Sequence, residues 1–225
     1  MIFENELISG TLIKRYKRFF VDIKVKNKVI TAHCPNTGSM MGLLKKGNKV
    51  WLTKSNDIKR KLKYTLQIIE VNGSKIGVNT HLTNKIFYES LLNGNIINLK
   101  KTDILFREKQ FNKNTRFDFF IKQKNKGIFI EVKNVTLSRF KNIAEFPDAV
   151  TERGLKHINE LLAAKKKGFD VYLAFVIQRE DCKKFKIAAD IDPNYKKLLT
   201  VALKNNLKLI CYDCKFLSKG IIINN

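Results

Sequence analysis

Arg116-Phe117-Asp118-Phe119-Phe120-Ile121-Lys122, a polar turn, then Ile128-Phe129-Ile130-Glu131-Val132-Lys133 is the stretch that decides the fold. Both halves alternate apolar residues with a period of two, so they predict two strands of a hairpin. Putting Phe117, Phe119 and Ile121 on one core face with Ile128, Ile130 and Val132 requires pairing 117 with 132, 119 with 130 and 121 with 128. That register sets Asp118 opposite Glu131 on the other face, with Lys133 beside Glu131. Two carboxylates directly opposite each other repel. A divalent cation between them removes the repulsion, and hard oxygen ligands suit Mg²⁺ or Mn²⁺. A lysine beside such a metal can orient or deprotonate water and stabilise charge on a phosphate. The plainer alternative is an exposed hairpin with Glu131 and Lys133 paired along the strand.

Working outward, a short helix is expected over 85–92, capped by Thr83 or Asn84 and stopped by Asn93-Gly94. After the hairpin, a longer helix runs from about Asp148 to Lys167, ending at Gly168, with Leu155, Ile158, Leu161 and Leu162 on its apolar face. Its opposite stripe is Arg153, His157 and Glu160, either a solvated face or a set of phosphate contacts. The run 171–178 reads as a strand covered on both faces, 195–205 as a helix and 207–216 as a last strand. Helices alternating with strands give an α/β domain over 81–225.

Residues 1–80 have no helical period. Strands are expected over 7–16, 19–25, 29–33, 50–54, 64–71 and 75–78, with Asn72-Gly73 at a tight turn. Such short, closely spaced strands suggest a small barrel of the OB kind. Phe19 and Trp51 are expected on the inward side of their strands. Lys14, Arg15, Tyr16, Lys17 and Arg18 mix cations with an aromatic ring, as does the basic stretch from Lys45 to Lys63 around Trp51. Cations neutralise phosphates and rings stack on bases, so Lys14–Arg18 is a candidate nucleic-acid surface.

Composition supports such a partner. Lys+Arg is 44 and Asp+Glu is 20 in 225 residues, a net charge of +24. A content of 44% hydrophobic residues excludes a disordered polycation. Abundant Lys, Asn and Ile can reflect AT-rich coding, but that bias does not explain so few acids. The longest apolar run is too short to span a bilayer, and the first residues lack a secretory pattern, so a cytoplasmic protein without a membrane partner is expected. Cys211-Tyr212-Asp213-Cys214 is a lone CxxC with no second pair, which argues against zinc.

Asp118, twelve residues, then Glu131-Val132-Lys133 resembles the PD-(D/E)XK nuclease motif, although Phe117 stands where the motif has Pro. The whole chain resembles the sugar fermentation stimulation protein A family. The segments carrying this are Gly10–Phe19, Thr31–Met40, Gly77–Thr80, Glu131–Leu137, and Phe146–Gly154 with Lys156-His157. The resemblance implies an N-terminal OB-like β-barrel, a C-terminal restriction-endonuclease-like α/β domain and DNA binding, with RNA as a rival partner. Asp118, Glu131 and Lys133 match its nuclease-like centre. Glu89 matches the extra acid that many such nucleases place on the preceding helix, as a third metal ligand. Gln178 matches an occasional polar site residue. In the loop after 33, Asn36 and Ser39 either cradle a phosphate or cap their own turn. The family is also described as regulating sugar (maltose) metabolism, so a non-enzymatic DNA-binding regulator on a nuclease scaffold is the alternative to a metal-dependent nuclease.

Overall fold

The computed structural model describes residues 1–94, 96, 104–124 and 126–224. The first unit is built from β1 (Ile8–Tyr16), β2 (Phe20–Val25), β3 (Lys28–His33), β4 (Lys49–Lys54), β5 (Tyr64–Val71) and β6 (Ser74–Gly77). Its strand order is β3-β2-β1-β4-β5-β6, and a parallel contact of His33 with Thr65 joins β3 to β5. That contact closes five strands into an OB barrel. Alternate residues point inward: Leu12, Val21, Ile23, Val50, Leu52 and Leu66 are fully buried in the barrel core. Each such side chain stabilises the fold by roughly 1.5–3 kcal/mol relative to exposure. Asn72 (φ 51) and Gly73 (φ 79) form the left-handed β5–β6 turn, which asparagine tolerates and glycine, lacking a Cβ, adopts freely.

The second unit contains α1 (His81–Leu92), β7 (Ile104–Asn112), β8 (Thr115–Lys122), β9 (Gly127–Val135), β10 (Leu137–Phe140), β11 (Asn142–Phe146), α2 (Glu152–Lys166), β12 (Asp170–Ile177), β13 (Cys182–Ile187), α3 (Pro193–Lys204), β14 (Lys208–Leu217) and β15 (Gly220–Ile223). Its main sheet runs β15-β14-β12-β9-β8-β7, with β9, β12 and β14 parallel and the outer strands antiparallel. The helix α1 covers one face and α2 with α3 the other, which makes a three-layer α/β sandwich. β12 is buried on both faces, as its unbroken apolar run requires. A small sheet of β10, β11 and β13 extends the domain.

The N-terminal residues pack on the second unit rather than the barrel. Met1, Phe3 and Leu7 join its core, and Ile2 bridges to Gly220. Trp51 also faces that core from the outside of the barrel, with Lys49 and Lys75 over its ring at 5.0 and 5.8 Å. The expected inward Trp51 is corrected: β4 turns Val50 and Leu52 inward, so Trp51 must face out. Phe19 is likewise exposed (44%) in the β1–β2 turn, stacked on His33.

Three further expectations change. α1 begins four residues early, because the Asn79 side chain accepts the His81 N–H and Thr80 offers no side-chain cap. Asn84 therefore lies inside the helix. α2 begins after Thr151, whose hydroxyl accepts the Gly154 N–H. Its buried face is Gly154, His157, Ile158, Leu161 and Ala164, so His157 points inward rather than to solvent.

Candidate active site between the two domains

The paired hairpin holds the expected register, but only in part. Phe119 pairs with Ile130 and Ile121 with Ile128, and toward Asp118 the ladder stops at the Phe119–Ile130 pair. At Phe117 and Asp118 the strand departs from strict alternation. Phe117 packs with Phe129 in the core under α2, whereas Phe119 and Ile121 lie in the core under α1. In place of a 117–132 pairing, the Asp118 carboxylate takes over the ladder: its Oδ2 accepts the Val132 N–H at 2.7 Å. Its Oδ1 accepts from Asn84 Nδ2 of α1 at 2.7 Å. Each oxygen retains a lone pair for a further partner.

On β9, Glu131 is 3% exposed. Its Oε1 accepts from Lys133 Nζ at 2.7 Å and contacts His157 Nδ1. Lys133 Nζ also lies 2.9 Å from that Nδ1. The imidazole nitrogen can accept from Lys133 or donate to Glu131, but not both at once. The tautomer therefore decides which of the two partners Nδ1 bonds.

The two carboxylates titrate in opposite directions. Burial, with the Glu131 charge added to it, pushes Asp118 up to about 7 despite its hydrogen bonds. Burial also works to raise Glu131, but the Lys133 charge and the His157 hydrogen bond outweigh it and hold Glu131 below the usual range. Glu131 is thus fully compensated inside the protein, whereas the Lys133 charge and the hydrogen bonds on Asp118 do not outweigh its burial and the Glu131 charge.

These residues line a cleft of about 430 Å³ between the domains. The barrel supplies Asn36, Thr37 and Gly38, α1 supplies Thr83 and Asn84, and the segment from 145 to 153 closes the far side. The barrel loop is stitched in place. Arg15 donates to the carbonyls of Arg18, Asn36 and Gly38 at 2.9, 2.6 and 3.1 Å. Asn36 Oδ1 accepts the Gly38 N–H, and Ser39 Oγ donates to the Asp148 carbonyl at 3.0 Å. A Cβ on Gly38 would collide with Asp148 Oδ2, so this close approach needs glycine.

Of the sequence candidates, Asp118, Glu131, Lys133 and Arg153 line the cleft, as does Asn36, while His157 sits behind Lys133. Glu89 is not brought there. It pairs with the Met1 amine at 2.5 Å, and Asn84 is the α1 residue that meets Asp118. Gln178 is fully buried behind the wall, donating to Thr83 Oγ1 and Asn134 Oδ1 at 3.0 and 2.7 Å. Ser39 fastens the loop and does not line the cleft. In the basic turn, Arg15 spends its guanidinium on the loop, and Tyr16 donates to Asp22. Lys14 is 3.9 Å from Asp22. Only Lys17 and Arg18 of this run stand exposed with no such side-chain partner among the described residues, at the turn itself. Asn84 and Asp148 were missed. Asp148 lies inside the quoted Phe146–Gly154 motif, whereas Asn84 carried no signal beyond its capping chemistry.

Among the described residues, no cluster of three His, Cys, Asp or Glu side chains forms a metal cage. The donor set that fits a hard cation is smaller: the Asp118 and Glu131 carboxylates, with the Val132 carbonyl next in the chain. The incompletely balanced Asp118 carboxylate, pushed up to about 7, is the observation that favours a cation there.

Comparison with known proteins agrees along the whole chain. The family description for the SfsA N-terminal OB domain matches residues 13–78. The description for the sugar fermentation stimulation protein RE domain matches residues 81–220. The sugar fermentation stimulation protein homolog of Pelagibacter ubique is 50% identical, covering 100% of this chain and 97% of its own. The homolog of Maricaulis maris is 40% identical over 100% of this chain and 96% of its own. The solved structure of Pyrococcus furiosus SfsA in complex with Ca²⁺ superposes with a TM-score of 0.90 at 26% identity, covering 100% of this chain and 96% of that one. The chain belongs to the sugar fermentation stimulation protein family.

Proposed function

We propose that this chain binds DNA with little sequence preference and hydrolyses its phosphodiester backbone with a divalent metal, Mg²⁺ or Mn²⁺. The observation that carries this reading is Asp118: a half-buried carboxylate beside the charge of a second carboxylate, hydrogen-bonded only to neutral donors and pushed up to about 7 despite the nearby Lys133 charge. A relative solved with Ca²⁺ supports a divalent-cation site in this fold. Asp118 and Glu131 would hold the metal. Bound there, it supplies positive charge that polarises a phosphate and makes water more acidic. Asn84 and the Val132 N–H fix the Asp118 carboxylate within the cleft wall, one on each oxygen. Lys133 is anchored by Glu131 and His157, so it can orient an attacking water and offset the charge that grows on the phosphate. His157 holds Lys133 from behind through its Nδ1.

The net charge of +24 supplies the affinity. Binding carried by phosphate contacts is similar for unrelated duplexes and falls steeply with salt. The test is incubation of pure protein with supercoiled plasmid, linear duplex, flap, junction and RNA substrates, with and without Mn²⁺. Metal-dependent cutting that disappears in Asp118→Asn supports the reading. Metal binding with no cutting of any substrate makes the protein a non-enzymatic DNA-binding regulator on a nuclease scaffold.

A further inference from the structure

A second cavity of about 500 Å³ lies beyond His157, between the β7–β8 turn and the first turns of α2. Four cations line it: Lys113 and Arg116 from the hairpin, and Arg153 and Lys156 from the helix. Glu108 is the one acid in the lining. Elsewhere in this domain buried or bridging cations are matched to acids. Arg139 is held by Glu145 and Asp190, Arg179 by Asp181, and both Lys126 and Lys165 by Asp170. Here, among the described residues, Arg116 and Arg153 form no ion pair with any carboxylate. Lys156 donates only to the Asn114 carbonyl, at 3.0 Å, which pins the turn to the helix. Asn112 adds a second pin to Glu160 at 2.6 Å. The cavity floor also holds Thr115, 6% exposed, whose hydroxyl has no partner.

We infer that this cavity is a phosphate-binding subsite for the same nucleic-acid strand whose phosphodiester lies in the cleft. Arg153 lines both cavities, and His157 lies in the wall between them. Arg116 is two residues from Asp118 on the same strand. A strand lying over Asp118 and Glu131 therefore runs past Arg153, and its neighbouring phosphate meets two exposed, unpaired guanidinium groups carried on a turn and a helix that are pinned to each other. Arg is suited to this, because its planar fork grips a phosphate with two parallel hydrogen bonds. The pocket recognises a phosphate group, which a strand presents either at a terminus or along its backbone.

This subsite rests on the proposed nucleic-acid reading, and the test separates the two. Binding is measured by anisotropy of short labelled oligonucleotides carrying a 5′-phosphate, a 3′-phosphate or hydroxyl ends, with closed circular DNA as competitor. Nicking is not used as the readout. The variant is Arg116→Ala with Arg153→Ala, and the charge-matched control is Lys196→Ala with Lys197→Ala on the exposed face of α3. The arginine variant should lose about tenfold in affinity, and its salt slope should fall by about one for each phosphate no longer neutralised. The control should lose far less, and both should keep the wild-type melting temperature. If the loss is confined to one phosphorylated end, the pocket takes a terminus; if it is equal on all strands, it takes a backbone phosphate. Equal affinity of the arginine variant and the control overturns the subsite while leaving the metal site standing. Absence of nucleic-acid binding by the wild type overturns the functional reading itself.

Discussion

Two acid clusters in the second domain make an instructive contrast. In one, Glu145 is buried and its carboxylate accepts from the Arg139 backbone and guanidinium at 2.8–3.0 Å, with Lys186 at 3.3 Å. Arg139 turns its other edge to Asp190. The Arg139 hydrogen bonds hold Glu145 below the usual carboxylate range. In the other cluster, Glu131 is similarly satisfied by Lys133 and His157, but Asp118 is left with only neutral donors and rises to about 7. The first cluster is complete as folded, tying β10 and β11 to the segment after β13. The second is complete only with a charge from outside. Folding removes such conflicts where it can, so one that persists in a cleft marks a ligand site.

The contrast breaks first at Lys133. Lys133→Ala should cut the rate of any nicking by about a hundredfold or more, the scale of a lost proton-transfer or charge-stabilising group. Both carboxylates remain, so stabilisation by metal should persist. Plasmid nicking under single-turnover conditions measures the first effect and thermal melting the second. A variant that nicks like the wild type would remove Lys133 from the chemistry.

Next, the two clusters should respond oppositely to losing one member. Arg139→Ala strips a buried carboxylate of its main partner and should lower the melting temperature by roughly 5 °C or more. Asp118→Asn removes one of two repelling charges and should leave the metal-free protein as stable or slightly more so. Matched thermal melts without metal decide this. A large destabilisation by Asp118→Asn would mean the carboxylate is structural.

A smaller effect is in the pH dependence. Asp118's folded pKa lies above its unfolded value, so its contribution is fully present below about pH 4 and is lost as pH rises through about 7. Glu145's folded pKa lies below its unfolded value, so its contribution is present above the ordinary carboxylate range and is lost on acidification. Between about pH 5 and 8, the melting temperature of the metal-free wild type should therefore fall relative to Asp118→Asn. Parallel curves for the two proteins over that window would contradict the assignment.

Much of this was legible in the chain. The barrel strands match their expected spans within a residue or two, because period-two alternation and turn residues mark them directly. The 119–130 pairing was legible for the same reason. What failed was set by contacts distant in sequence. Asp118 leaves the alternation because its carboxylate replaces a ladder bond to Val132. His157 turns inward because Lys133 and Glu131 lie beneath α2. Arg15 reads as a phosphate contact beside Lys14 and Lys17, yet a loop further along the chain consumes its guanidinium. Glu89 is a plausible ligand by order along the chain, but it faces the Met1 amine, and Asn84 on another face of α1 is the residue that meets Asp118. β15 was not anticipated because its four residues are too few to show a period, and β7, β10, β11 and β13 were not either. Their residues are largely polar or half exposed, so no apolar period announces them.

The most direct measurement of the central claim is the melting temperature of wild type and Asp118→Asn over a titration of Mn²⁺, with Mg²⁺ in parallel. A ligand bound only by the folded state stabilises it in proportion to RT ln(1 + [L]/Kd). A cation held by Asp118 and Glu131 gives a saturable rise for the wild type and little or none for Asp118→Asn. An equal rise in both proteins, or none in the wild type, would contradict a divalent-cation site at Asp118 and Glu131.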